Sequence, residues 1–309
     1  MPGRIIRPNL FIVGAPKSGT TSLHHYLAQH PDVLMSTPKE PCYLAPDFIS
    51  ERYPKSEAEY LSIFKGYSGE AVVGEATSTY LYSRLAAKKI KEYAPEAKII
   101  AMLRNPVEMV PSLHAQRLKE GNENVFDLAS AIKIEDERRH GRCIPKGFIF
   151  PKEYLLYREF AKYSEQLSRY YSEFDSDNIH IIIFDEFISD PEKEFKKVCG
   201  FLGISEKFKP EFTKENQASV PRFAPIHRVL VLAMPLLAKI KGMMERYLPN
   251  KIVKLFGLAF SLLSRLNMSD GRAEVDPEVK ASLRYYYRDE INSLETLIGR
   301  DLSSWKGNC

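Results

Sequence analysis

Short runs that are apolar at nearly every position alternate along this chain with longer stretches in which apolar residues return every three or four positions. The first kind occupies 10–14, 71–74, 98–103 and 179–184. Runs of that length, apolar on both faces, predict strands of a parallel sheet covered on each side. The second kind predicts helices over 20–29, 57–64, 83–93, 107–119, 160–174 and 191–202, the last closed by Gly203, since glycine commonly ends a helix. Strand and helix in repeated succession predict an α/β fold, a central parallel sheet flanked by helices, with the whole of 1–309 forming one domain. A further amphipathic helix is predicted over 277–299, with Trp305 docking the C-terminus behind it.

One region breaks the rhythm. Residues 228–266 are rich in Leu, Met, Ile, Val and Phe, carry seven basic residues against the single acid Glu245, and are interrupted by Pro235 and Pro249. Their apolar residues recur at helical spacing and the two prolines divide them into short pieces able to hinge, so 228–270 is expected to be a helical lid over one side of a cleft. Extra core helices, or a contact with an anionic membrane surface through 228–266, are the competing readings of the same composition.

Composition narrows the picture mainly by exclusion. With 44 basic residues against 40 acidic ones, the net charge of +4 does not suggest a nucleic-acid coat, so anion binding must come from local placement. Cys42, Cys143, Cys199 and Cys309 are scattered without a C-x-x-C pair, which suggests neither a disulfide framework nor a zinc site and fits a reducing, cytoplasmic setting. The apolar run near the N-terminus is too short for a signal peptide, and no segment reaches the roughly 20 apolar residues of a membrane span.

The candidate chemistry begins where the first strand turns into the first helix, at "FIVGAPKSGTTSLHHYL". A strand, a glycine turn and a helix start gather backbone N–H groups and the positive helix end around one point, which is an anion site. Lys17, Ser18, Gly19, Thr20, Thr21 and Ser22 supply its donors. Gly14 and Gly19 have the spacing of G-x-x-x-x-G-K-[ST], but Thr20 stands where the lysine of that motif belongs, and the lysine has moved to position 17. The displaced lysine suits one phosphate carrying a transferable group better than a nucleoside triphosphate. Against this stands "IHIIIFDEF", which ends in Asp185 and Glu186 like a magnesium-holding strand of a kinase; the plainer reading is that these acids begin a turn and cap the helix after Pro191. A nucleotide-dependent phosphotransferase and a catalytically silent nucleotide-binding protein therefore remain as alternatives.

Several separated motifs narrow the choice. "APKSGTTSLHHYL" resembles the 5′-phosphosulfate loop of the sulfotransferases that use 3′-phosphoadenosine 5′-phosphosulfate (PAPS), and "AMLRNPVEMVPSLHAQ" is similar to their 3′-phosphate motif, with Ser112 eight residues after Arg104. The likeness continues through "KEPCYL", "GEATSTYLYS", "FDEFISDPEKEFKKVCGFLGI", "NQASVPR" and "LETLIGRDLSSW", and covers nearly the whole chain outside 228–270. The glycan and bacterial branch matches better than the cytosolic branch that uses a histidine base, because no histidine falls in that branch's motif. His24, His25 and His114 are expected to be structural.

This resemblance implies a P-loop nucleoside-kinase-like sheet and transfer of a sulfuryl group from PAPS to a hydroxyl or amine of a glycan or small natural product, leaving PAP and requiring no metal. It assigns the donor's 3′-phosphate to Arg104, Ser112 and Arg222, and charge neutralisation on the leaving oxygen to Lys17. Two acids compete for the role of base: Glu40 at the Lys-Glu-Pro position, and Glu75 at the end of the second predicted strand. Two departures stand out. Ala76 replaces the lysine that many glycan sulfotransferases carry after that second acid, which puts a polyanionic acceptor in question, and Ala161 replaces a common glycine, a change expected to bear on packing.

Overall fold

The computed structural model describes residues 7–48, 53–213 and 275–307, the backbone of 219–221 and 268–270, and a few isolated positions between them. Its centre is a five-stranded sheet of β1 (Leu10–Gly14), β2 (Val33–Met35), β3 (Val72–Ala76), β4 (Lys98–Leu103) and β5 (Ile179–Ile183). All neighbours are parallel, in the order β2-β3-β1-β4-β5. Chain direction along the sheet therefore divides at β1, and the crevice beyond the carboxyl ends of β1 and its neighbours is where such sheets bind ligands.

Side chains alternate across the strands into two apolar layers, which is why the strand sequences carry no polar face. Phe11, Val13, Ile99, Ala101 and Leu103 face one layer with α3 (Ala86–Tyr93), α4 (Pro106–Lys119), α7 (Tyr163–Tyr171) and α10 (Pro277–Ile298). Leu10, Ile12, Ile100, Met102 and Ile182 face the other, against α1 (Thr20–Leu27) and α9 (Pro191–Leu202). Shorter helices complete the described chain: α2 (Glu57–Leu61), α5 (Leu128–Lys133), α6 (Glu135–Arg139), α8 (Phe184–Ser189) and α11 (Ser303–Lys306). An antiparallel pair, β6 (Ser219–Pro221) and β7 (Met268–Asp270), stands apart from the main sheet.

The predicted strands and main helices are present, with informative differences at their ends. β2 is an additional strand of three residues, too short to leave a periodic signal. β3 continues past Gly74 through Glu75 and Ala76, carrying a carboxyl into the interior. Phe184 opens α8 instead of ending β5. The stretch 160–174 splits into a turn of 3-10 helix, Glu159–Ala161, and α7. Gly203 and Gly299 close α9 and α10 in the left-handed conformation. Trp305 is buried and its indole N–H donates to Asp185 Oδ2 at 3.3 Å, fastening the C-terminus to the start of α8. The segment 228–266 falls almost wholly outside the described residues, as does Arg222. Among the described residues no helix is long and apolar enough to cross a membrane.

Candidate active site

The first functional element is the turn between β1 and α1. Gly14 takes φ 155°, and a Cβ there would lie 2.7 Å from Leu81 Cβ and 2.9 Å from Ser78 O, so the strand can exit only through a glycine. Ala15 N–H donates to Met102 O at 2.6 Å, tying the exit to β4. Gly19, at φ 90°, precedes α1, and a Cβ there would press on the Phe184 ring at 3.3 Å. Between them Lys17 holds φ 62°, a left-handed conformation that costs a non-glycine residue about 1–2 kcal/mol. Strain of that size persists where neighbouring contacts fix the backbone, and it clusters at ligand sites. Ser18 and Thr20 are buried, Thr21 and Ser22 half-buried at the first turn of α1.

Arg104 is the contact that fixes it. The residue leaves β4 just before Asn105, whose side chain accepts from Val107 N–H and starts α4 with Pro106 in its first turn. Arg104 Nη1 donates to Lys17 O at 3.1 Å, its guanidinium lies 4.9 Å above the Phe184 ring, and its own carbonyl accepts from Tyr163 OH at 3.1 Å. Glu108 and then Ser112 follow at successive turns of α4, with Glu108 Oε2 3.9 Å from Arg104 Nη2. Burial, and next the Arg104 charge, lower the pKa of Lys17; Lys119 and Arg117 add to the repulsion and Glu120 opposes it. Cations crowded together in a half-buried turn create a standing demand for an anion.

The second element is the loop after β2. Glu40 adopts φ 60°, and its N–H donates to Ala76 O at 3.0 Å, which lays this loop along the end of β3. Glu40 Oε2 accepts from Ser78 N–H at 2.8 Å and Oε1 from Lys39 Nζ at 2.7 Å. Lys39 Nζ also reaches Thr20 Oγ1 at 3.4 Å, so one ammonium joins the acid to the anion turn. The Glu40 side chain is 35 % exposed. It is thus both held and open to a substrate.

Glu75 is placed differently from Glu40. Its side chain is fully buried, and three hydroxyls donate to its carboxylate: Tyr60 OH at 2.5 Å, Thr77 Oγ1 at 2.7 Å and Tyr80 OH at 3.0 Å. Burial raises its pKa to about 7 in spite of these donors. Two of the hydroxyls also serve the Glu40 loop, because Thr77 Oγ1 accepts from Cys42 N–H at 3.3 Å and Tyr80 OH accepts from Leu44 N–H at 3.0 Å. Two of the histidines have structural partners. His24 Nε2 lies 3.1 Å from Ser36 O and His114 Nε2 lies 2.8 Å from Val125 O. The candidate magnesium acids are engaged elsewhere, Asp185 with Trp305 and Glu186 with Arg300, while Asp190, not they, caps α9.

The structure brings Lys17, the residues of the turn, Arg104 and Glu40 to one end of the sheet. Lys39 was missed by sequence reasoning, although its place beside Glu40 was visible. That it touches Thr20 depends on the β2 loop folding back over α1, which no local pattern states.

This combination of turn, strand-end arginine and loop acid on a β2-β3-β1-β4-β5 sheet is that of an α/β protein with a candidate anion site at the carboxyl end of its sheet. The chain belongs to the sulfotransferase family, whose sulfotransferase-domain profile matches residues 7–220. It is 28% identical over 204 residues to human heparan sulfate glucosamine 3-O-sulfotransferase 6, covering 66% of this chain and 54% of that protein. It is 25% identical over 209 residues to human bifunctional heparan sulfate N-deacetylase/N-sulfotransferase 2, covering 64% of this chain and 22% of that one. The chain thus spans about half or less of these curated relatives. Among solved structures, the sulfotransferase from Alicyclobacillus acidocaldarius is similar over 98% of this chain and 100% of its own, with a TM-score of 0.72 and 28% identity.

Proposed function

We propose that this protein transfers a sulfuryl group from PAPS to a hydroxyl or amine of a glycan or small natural-product acceptor, with Glu40 as the base and Lys17 at the leaving oxygen. The observation that carries the reading is the junction of Lys17 and Arg104: a strained, half-buried lysine in the turn after β1, braced through its carbonyl by the arginine that ends β4. A donor with two separate anionic groups fits that pair, one at the turn and one between Arg104 at the end of β4 and Ser112 on α4. Arg222, which lies outside the described residues, is proposed to join the second group.

PAPS supplies a sulfuryl group on a phosphate leaving group; the S–O bond to the phosphate breaks as the S–O or S–N bond to the acceptor forms, and the electron pair stays on the phosphate oxygen. Lys17 donates to that oxygen as its charge grows, and the lowered pKa of this lysine makes the proton easier to share. Glu40, fixed by Ser78 N–H and Lys39, takes the acceptor's proton. Glu75 has no exposed surface with which to meet an acceptor, and its part in this account is to hold the loop that carries Glu40. Glycan names among the relatives favour a sugar acceptor, while Ala76 leaves β3 without a cation for a polyanionic one.

A transfer assay with labelled PAPS against a panel of desulfated glycans, phenols and aliphatic alcohols tests the proposal. Label should appear in one acceptor class with release of PAP. Magnesium-dependent phosphate transfer from ATP, with no label moved from PAPS, would replace this reading with the kinase one.

A further inference from the structure

Lys39 stands between the two halves of the site, and the charges around it suggest why. A carboxylate that must reach an acceptor oxygen is necessarily brought close to the negative sulfuryl oxygens of the donor. Two anions at that range repel, and in a partly desolvated cleft the repulsion is larger than in water. Something must offset it, and β3 offers nothing: Ala76 is fully buried and points into the layer beneath α1. Of the described cations at the turn, Lys17 is already assigned to the leaving oxygen, and the Arg104 guanidinium is turned to the Lys17 carbonyl on the β4 side. Lys39 reaches Glu40 Oε1 at 2.7 Å and Thr20 Oγ1 at 3.4 Å, with its side chain only 19 % exposed. Its charge also falls on α1, where burial and then Lys39 push the His24 pKa down to about 4, so that histidine is neutral and cannot share the task.

Building on the proposed function, we propose that Lys39 is a positioning residue that shields the donor's sulfuryl group from the Glu40 carboxylate, allowing an ionised base and an anionic donor to occupy one cleft. The ammonium neutralises Glu40 on one side and presents donors toward the Thr20 end of the anion turn on the other. Its contribution is specific to the sulfuryl group: PAP has the same nucleotide and both phosphates but nothing that approaches Glu40.

Calorimetry on the full chain with PAPS and, separately, with PAP, in the absence of acceptor, isolates this contribution. Lys39→Gln should leave PAP affinity within about twofold and weaken PAPS by about tenfold, the scale of one like-charge contact in a partly buried site. Adding Glu40→Gln to Lys39→Gln should restore most of the lost PAPS affinity, because the repulsion disappears with the carboxylate, and Lys39→Arg should keep it. A lysine serving only to hold the loop would lose PAP and PAPS together and would not be rescued by the second substitution. Either of those results, or no change in PAPS affinity, overturns the proposal. Should Lys39→Gln fail to fold, Glu40→Gln alone still decides: PAPS should tighten several-fold with PAP unchanged, and equal affinities to the native chain for both contradict the shielding role. A native chain that binds neither compound would instead refute the proposed function itself.

Discussion

Two residues divide the proposed chemistry, and their surroundings suit them to different parts of it. Lys17 sits in a strained conformation with its carbonyl held by Arg104, and among the described residues no side-chain hydrogen bond holds its ammonium. Lys17→Ala should cost about 3 kcal/mol of transition-state stabilisation, by analogy with removing one preorganised donor to a developing charge. Glu40 is held through both oxygens yet remains partly open. Glu40→Gln should keep PAP affinity and lower turnover by roughly 10²–10⁴, the range for a general base. Single-turnover rates with PAPS and a working acceptor check both; normal turnover by Glu40→Gln would remove this acid from the role.

The element that places Glu40 is the loop between β2 and α2, and it is anchored from β3 through Glu75. Thr77 and Tyr80 each donate to the buried carboxylate and accept from a backbone N–H of the loop, so one acid orders two loop contacts at once. Burial sets the folded pKa of Glu75 near 7, above the ordinary 4.5 of a glutamate. Between these values the folded chain binds the proton more readily than the unfolded chain does. The stability Glu75 confers is therefore full below about pH 4.5 and is lost as pH rises through 7. Glu75→Gln cannot titrate, so its melting temperature should fall less than that of the native chain between pH 5 and 8; parallel curves would mean that the buried acid does not titrate in this range.

Legibility differs between elements for physical reasons. β1 and β4 are buried on both faces, β5 at the sheet edge less fully, and all three show plainly as apolar runs. α4 and α9 announce themselves with a side-chain cap followed by proline. The anion turn was readable because glycine is required where the chain passes close to Leu81 and Phe184. Glu75 was readable as a candidate acid but not as a buried one, since its burial depends on Tyr60 and Tyr80, brought together by the fold. Lys39 meets Thr20, 19 positions earlier in the sequence, a relation set by the path of β2 and not by any period.

At the scale of the molecule, buried charge as well as apolar packing ties α6 to the loop that follows α4. Glu123 and Arg138, both without exposed side-chain surface, form a two-pronged pair at 2.7 and 2.8 Å, and Tyr157 OH donates to the same carboxylate at 2.7 Å. Burial alone would raise the Glu123 pKa, but the Arg138 hydrogen bonds and charge outweigh it and hold the carboxyl below its usual range. Its stabilising contribution is accordingly present above the ordinary glutamate pKa and lost as pH falls through the lowered value. Arg138→Met leaves a buried carboxylate unpaired and should cost about 3–5 kcal/mol in urea unfolding, with most of the loss recovered by adding Glu123→Leu. Single and double variants of equal stability would show that the pair is not the source. This packing supports α4, which starts just after Arg104 and whose face carries Glu108 and Ser112 one turn apart. The central claim is that this face and the turn after β1 together recognise a nucleotide with a 3′-phosphate. Calorimetry of PAP against AMP, repeated with EDTA, tests it most directly: PAP should bind far more tightly than AMP, EDTA should change neither, and Arg104→Ala should erase most of the difference, whereas equal affinities for PAP and AMP would contradict the account.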